Sequence, residues 1–334
     1  MAIDGNVYSG KEVQIGIAGE GAFGTPTGSA GAYTQLVEFG SVAIDYGLTQ
    51  ELGIKNRGRR TAHTDDTYVT EQGGMRTITV SDYIVRKGDF ADFLYAVFQN
   101  VTEDGASPYT KTFQFPDTQP NFAADGGHFL TVAIKMPLAN RHLMFTSCIV
   151  SELKLKADLV GGDSRLKADI TLVSGFSVTK TANFTGVWTV KNQQYIPMND
   201  LETKQIAGND VVLYGFDLTI KNNAVRVGNG SSGVTETYAI GIDEYEYILG
   251  LKVKYDSNVS GLIDNFSGGS EVDAEIVQET NQSIEVYANN WIFTTHDHDF
   301  SQQQGIAIDL EGKCLYDGTD MPYIKFTDNQ DKGW

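Results

Sequence analysis

The sequence predicts a mainly β protein made of two tandem copies of one β module, each flanked by a short α-helix. Three observations carry that prediction. The 334 residues include 36 glycines, 16 tyrosines and 17 phenylalanines and show few long helical patterns, which is the composition of strands joined by many turns. Long stretches alternate apolar and polar residues with period two, the signature of half-buried strands. One short helical signature also occurs twice. Phe90, Phe93, Leu94 and Val97 stand at i, i+3, i+4 and i+7, and Val259, Leu262, Ile263 and Phe266 repeat the spacing. Each set forms one apolar stripe along a helix. Strand-like sequence (77–85 and 245–255) precedes both stripes, and more follows them.

The elements follow in order. Residues 7–28 are glycine-rich and read as a strand and then a loose arm, Gly19-Glu20-Gly21-Ala22-Phe23-Gly24-Thr25-Pro26-Thr27-Gly28. The arm is not a phosphate loop, because it lacks a Gly-Lys-Ser/Thr ending and no helix follows. The first compact module starts near Ser41. Residues 49–75 are polar and without clear periodicity, and loops of such length within a domain are usually functional or disordered. This loop concentrates Lys55, Arg57, Arg59 and Arg60, closely followed by Asp65, Asp66 and Glu71.

After the first helix, Leu130, Val132, Ile134 and Met136 alternate with Thr131, Ala133 and Lys135. Leu153, Leu155, Ala157 and Leu159 alternate with Lys154, Lys156 and Asp158. The turn Gly161-Gly162-Asp163-Ser164 then leads into Leu166, Ala168, Ile170 and Leu172. Strict alternation predicts antiparallel strands with polar outer faces, and the turn makes the last pair a hairpin. A connector spans 176–200. The pattern restarts with Val212, Tyr214, Phe216, Leu218 and Ile220, which echo the run from Val42 to Leu48. A glycine-rich turn at 228–233, the run Leu249, Leu251, Val253 and Tyr255, the second helix, and Ile284, Val286 and Ala288 come next. A last pair of strands, at Ile306, Ile308 and Leu310 and at 323–326, is joined through Asp317-Gly318. The predicted modules are therefore 1–200 and 201–334.

The formal net charge of −18 argues against a protein that grips nucleic acid, which needs clustered Lys and Arg, and against docking on anionic lipid. No apolar run approaches the ~20 residues of a membrane-spanning helix. Residues 1–10 carry neither the cationic nor the apolar part of a secretory signal, so synthesis in the cytoplasm is expected. Cys148 and Cys314 each lie in a strand-like run and read as small buried hydrophobes in a reducing compartment, with a single disulfide as the alternative.

His296-Asp297-His298-Asp299 is the one cluster resembling a metal site, since alternate residues of a strand share a face. No third ligand is evident nearby, and the adjoining Ser301, Gln302, Gln303 and Gln304 favour a solvated loop. The sequence holds no Gly-x-Ser-x-Gly elbow and no cysteine with a marked partner, so neither an enzyme nor a cofactor is expected. The cluster Lys55, Arg57, Arg59 and Arg60 admits three readings: a solvated loop, a weak nucleic-acid contact, or docking on an acidic surface of a neighbouring copy. The last is favoured, because a self-assembling acidic chain needs its scarce positive charge where like subunits would repel.

The arm at 19–26, the loop at 49–75, the helix at 89–99, the run His128-Phe129-Leu130-Thr131-Val132 and the hairpin at 150–175 together resemble the tail tube proteins (major tail proteins) of long, non-contractile-tailed bacteriophages. The resemblance covers most of the first half; the second half follows it more loosely and lacks a long basic loop matching 49–75. It implies two tandem tail-tube-type β-sandwich modules whose inner strands join those of neighbours in a continuous barrel. Stacked rings would form the virion's tail tube, the conduit for DNA ejection, with DNA passing through the lumen without specific binding.

The implied partners are the chain itself and other tail proteins such as the tape measure, terminator and distal tail protein. Three copies with pseudo-sixfold symmetry are preferred, six copies being the alternative. Other readings are a carbohydrate- or receptor-binding β-sandwich virion protein, or a tail terminator or connector ring of the same fold. The resemblance assigns Lys55, Arg57, Arg59 and Arg60 to contacts between stacked rings. Neutralising all four is expected to leave a folded chain that assembles poorly; unchanged tube length in electron micrographs would count against that role.

Overall fold

Alternating sequence becomes strand almost throughout the chain. The computed structural model describes residues 12–54, 67–105, 109–116, 128–137, 141–161, 163–191, 194–198, 201–228, 239–266, 272–278, 284–300, 306–316 and 321–328. The first half contains β1 (Gln14–Gly19), β2 (Tyr33–Leu36), β3 (Ser41–Asp45), β4 (Leu48–Ile54), β5 (Thr67–Gly73) and β6 (Arg76–Ile84). Helix α1 (Phe90–Phe98) follows, then β7 (Val101–Asp104), β8 (Tyr109–Gln114), β9 (Leu130–Lys135), β10 (His142–Asp158), β11 (Lys167–Ser174), β12 (Thr179–Thr181) and β13 (Trp188–Thr189). The second half contains β14 (Leu201–Ile206), β15 (Asn209–Asp210), β16 (Leu213–Lys221), β17 (Ala224–Val227), β18 (Ala239–Ile242) and β19 (Glu246–Lys254). After α2 (Ser257–Phe266) come β20 (Val272–Gln278), β21 (Ile284–Asp299), β22 (Ala307–Cys314) and β23 (Tyr323–Asp328). The protein is mainly β.

Eight strands form one antiparallel sheet in the order β3–β6–β11–β10–β16–β19–β22–β21. Its inner face is apolar. Ile78, Val80, Leu153, Leu155, Ile170 and Leu172 from the first half, with Leu218, Ile220, Leu249, Leu251, Ile308 and Leu310 from the second, are all buried in one continuous core.

Two long strands each serve a second set of pairings. The first part of β10 pairs with β9 and β12, and β9 continues through β1 to β2 and β13. The first part of β21 pairs with β20 and β23; β20 continues through β14 to β15, and β23 through β8 to β7. Each long strand changes partners at a residue with left-handed backbone, Ser147 (φ 48°) in β10 and Asn290 (φ 47°) in β21. A bulge follows each, and there Ser151 Oγ donates to Thr171 O (3.2 Å) while Thr294 Oγ1 donates to Glu311 O (3.1 Å). The hairpin β4–β5 leaves the sheet between β3 and β6, and the hairpin β17–β18 leaves it between β16 and β19.

The first helical stripe and the described members of the second face inward. Phe90, Phe93, Leu94 and Val97 are fully buried, as are Val259 and Leu262, and Ile263 packs against the same core. Asp256 caps α2 through Oδ1, which accepts from Asn258 N (3.0 Å) and Val259 N (3.3 Å). The C-terminus of α1 is tied down by buried Asn222, whose Nδ2 donates to Val97 O (3.1 Å) and Val150 O (2.7 Å).

Three local expectations are corrected. The arm is not loose: Glu20 Oε1 accepts from Thr131 Oγ1 (2.6 Å) and Ser147 N (2.8 Å), and Ser147 Oγ donates to Glu20 Oε2 (2.6 Å) while accepting from Gly24 N (2.7 Å). Strand β9 has no solvated face, because that arm covers Thr131, and Ala133 lies under Tyr33, Phe184 and the connector's Trp188. The last two strands do not pair with each other. They flank different parts of β21, with β22 beside its end and β23 beside its beginning. Of the polar segment 49–75, the flanks form the β4–β5 ladder, while Lys55, Arg57, Arg59 and Arg60 lie outside the described residues. Both cysteines are free, Cys148 buried and Cys314 half-buried.

At the start of α1, Asp89 does not cap the helix; its carboxylate accepts from the buried Tyr83 hydroxyl. Burial raises the Asp89 pKa to about 7, against an ordinary value of 3.8. The folded chain therefore holds an extra proton between those values, and this residue's contribution to stability is lost as pH rises through that window. Asp89→Asn should flatten the pH dependence of the urea midpoint between about pH 4 and 7; an unaltered profile would refute the assignment.

Candidate functional site: a charged sheet face with two open edges

Period-two alternation that buries one face of the eight-stranded sheet delivers the intervening residues to the other face. Cross-strand register then fixes the neighbours. Lys154 lies opposite Asp169 and Thr219, Lys156 opposite Lys167 and Asp217, and Lys252 opposite Gly215 and Asp309. The face is hollowed into a trough with a volume of about 750 Å³, rimmed at one end by Asp158, Val160, Gly161 and Asp163 of the β10–β11 turn. Gly250 helps keep the floor open, since a Cβ there would come within 2.8 Å of the Asp217 carboxylate.

Seven carboxylates and five cations line the trough. The cations are already engaged. Lys156 lies 2.9 Å from Asp82 and 3.0 Å from Asp169, and Lys252 lies 2.7 Å from Asp299 and 3.8 Å from Asp309. Asp163 pairs with Arg165 (2.7 Å) and Lys167 (2.9 Å), and Lys154 is 3.9 Å from Asp217. Hydrogen bonds from Arg165 and Lys167 hold the Asp163 carboxyl well below the usual range, and the bond from Lys156 does the same for Asp82. Asp309 moves the other way: burial raises its pKa, with repulsion from Asp299, Asp297 and Asp217 adding to the shift against the pull of Lys252. Asp158, Asp297 and Glu311 line the trough without an ion pair among the described residues. The cations of this face are paired and its carboxylates outnumber them, a charge balance that disfavours tight binding of a polyanion.

The sheet ends in two open edges. Strand β3 pairs only with β6, and residues 292–299 of β21 pair only with β22; no strand lies beyond either among the described residues. In contrast, where the halves meet, β10 and β16 form a seven-pair antiparallel ladder from Glu152↔Lys221 to Asp158↔Gly215.

His296-Asp297-His298-Asp299 is not a solvated loop but the end of β21, in register with β22. Pairing with the core strand β22 shapes it: His296 and His298 lie opposite Leu310 and Ile308, their rings 6.4 Å apart, while Asp297 lies opposite Asp309 in the trough. Among the described residues, no three or more His, Cys, Asp or Glu side chains are grouped so that they could hold a metal ion. Sequence reading missed the trough. Its signal lies in the polar members of the alternating runs, whose neighbours across the sheet are fixed only by strand register. No protein-family model matches the chain, and no curated protein matches it by sequence.

The trough residues Asp158, Asp297 and Glu311 test the electrostatic argument. Wild type should not be retained on duplex DNA at about 0.1 M salt, whereas the triple lysine variant should be retained with steep salt dependence. Equal elution of the two would show that this face does not govern contact with polyanions.

Proposed function

We propose that this chain is a structural subunit whose eight-stranded sheet joins those of neighbouring copies edge to edge in a ring, with the charged troughs lining a channel. The observation that carries the reading is an antiparallel sheet with a buried face, a polar face and an open strand at each end. Exposed edges recruit further strands unless protected, and a closed ring pairs every edge.

The chain carries a pattern for that junction within itself. The order β3–β6–β11–β10 recurs as β16–β19–β22–β21, with helices, bulges and side hairpins at matching places. We read the two halves as tandem β-sandwich modules. The internal β10–β16 ladder then corresponds to a ladder between β21 of one copy and β3 of the next. Three copies would make a ring of six modules with threefold symmetry.

Stacked rings with a weakly acidic bore suit the tail tube of a long-tailed, non-contractile bacteriophage, through which DNA passes without adhering. The subunit would act in the virion tail, after synthesis in the host cytoplasm, and would perform no catalysis. Particle images discriminate among the readings: stacked rings with threefold end-on views support a tube, one unstacked ring per particle a terminator or connector, and a monomer that binds on glycan arrays a sugar-binding virion protein.

Proline placed singly at Asp297 and at His298 tests the edge. Backbone N–H groups alternate sides along a strand, so one of the two substitutions removes an outward donor and spares the β22 ladder. That variant should remain folded by circular dichroism but sediment as a monomer; rings formed by both variants would argue against pairing at this edge.

A further inference from the structure

We propose that the junction between copies is proton-sensitive: His296 and His298 face the seam where β21 meets β3 of the next copy, and their protonation opens it, while the seam inside the chain does not respond. The inference rests on the ring reading above and deepens it by giving the junction a regulator. The guide is the internal seam between β10 and β16. There Leu153 lies opposite Ile220 and Leu155 opposite Leu218, and all four side chains are fully buried. None of them can gain or lose a proton.

The open edge carries the corresponding strand with different chemistry. Counting on from the bulges at Ser151 and Thr294 places His296 where β10 has Leu153, and His298 where it has Leu155. The paired side agrees: Leu153 and Leu155 lie opposite Ile170 and Ala168 of β11, and His296 and His298 opposite Leu310 and Ile308 of β22. Both histidines therefore stand on the core face of the sheet, in its last strand. His298 is exposed and His296 half-buried. The His298 ring stacks on Phe300, centroids 6.1 Å apart, and meets Tyr255 edge-on at 5.2 Å. Phe300 is 76% exposed. At the opposite end of the sheet, the core-side residues of β3 are Val42 and Ile44, both half-buried. A β21–β3 ladder built as the β10–β16 ladder is built brings this aliphatic pair to the imidazole strip.

An imidazole changes charge within about pH 5 to 8. Neutral, it packs in such a seam; charged, it is held in water. Assembly therefore releases protons, so the junction is strongest above that window and weakens as pH falls through it. The carboxylates around the seam act with the opposite sign. Asp297, Asp299 and Asp309 lie on the trough face, with Lys252 2.7 Å from Asp299, and Asp45 of β3 would join them there. Repulsion among these groups weakens the junction at high pH and is relieved by acid. On the histidine face stands Tyr255, and a phenol is uncharged near neutral pH. Asp256, next in sequence, is turned to the start of α2, where it accepts from Asn258 N and Val259 N. The sign of the pH response thus separates the histidines from the carboxylates.

The test follows assembly of the full chain by sedimentation velocity in steps from about pH 8 to about pH 5, with circular dichroism at each step. Wild type is expected to assemble at the upper end and to lose about tenfold or more in assembly affinity toward the lower end while staying folded. The double variant His296→Leu with His298→Leu, which installs the residues of the internal seam, should show no such fall. Neither should the polar but neutral pair His296→Gln with His298→Gln. Wild-type assembly that stays flat or strengthens as pH falls would overturn the proton-sensitive seam and leave the ring reading intact. Double variants that keep the wild-type response would do the same. A chain that is monomeric at every pH would overturn both.

Discussion

Every backbone N–H and C=O in a strand needs a partner, and among the described residues of the eight-stranded sheet only the strands at its two ends have a side with no neighbouring strand. Six of the eight strands have a neighbour on each side. The outer sides of β3 and of the end of β21 face outward unpaired among the described residues. Water can satisfy such groups, but it leaves a template for another strand. Neither edge carries a proline; β3 pairs with β6 without a bulge, and the β21 edge has one, at Thr294. In the proposed ring, another copy would supply the strand that each edge lacks.

The same backbone accounting explains the two long strands. A 17-residue strand and a 16-residue strand would each overrun a single flat sheet. A left-handed residue in each redirects the chain, so that one strand completes two sets of ladders. At Ser147 the turn is secured by the carboxylate of Glu20, which accepts both its N–H and its hydroxyl. Burial raises the Glu20 pKa, and hydrogen bonds from Ser147 and Thr131 work against that rise. At Asn290 the counterpart is a longer bond from its N–H to Asp273 Oδ1, 3.3 Å. The arm at 19–27 is therefore a structural clamp on the first of these redirections, and Gly24 (φ 77°) lets its backbone approach Phe176 and Ser147 closely.

Local period was enough to read much of this fold. The α1 stripe, the hairpin between Leu153 and Leu172, and the restart at Val212 all follow from side-chain direction, which repeats at 3.6 residues in a helix and at two in a strand. What period could not reveal was non-local. Thr131 looked solvent-facing because the groups that bury it, Glu20 and Thr27, lie over a hundred residues away in sequence. Strands β22 and β23 looked like a hairpin because they are neighbours in sequence, whereas β21 separates them in space. The trough was hidden for the same reason: Lys252 and Asp299 become partners only when β22 lies between their strands. The charged segment at 55–60 stood out in composition, yet composition alone assigns it no surface.

If the two halves are read as modules, as proposed, their covalent link would change the energetics of the ring. Joining free subunits costs translational and rotational freedom at each junction. A covalent link replaces that cost with the much smaller one of closing a connector, here 176–200. Half of the six junctions in a three-chain ring are then formed during folding, as the β10–β16 ladder is, with a core that runs through both halves. Only the β21–β3 junctions remain to be made between chains. The halves differ in what they add: the first carries the clamped arm and the β7–β8 hairpin, and β8 pairs with β23 of the second. That added pairing binds the halves a second time, away from the trough. The two halves are thus tied together twice within the chain, and in the proposed ring any adjustment of size or curvature would fall at the β21–β3 junction.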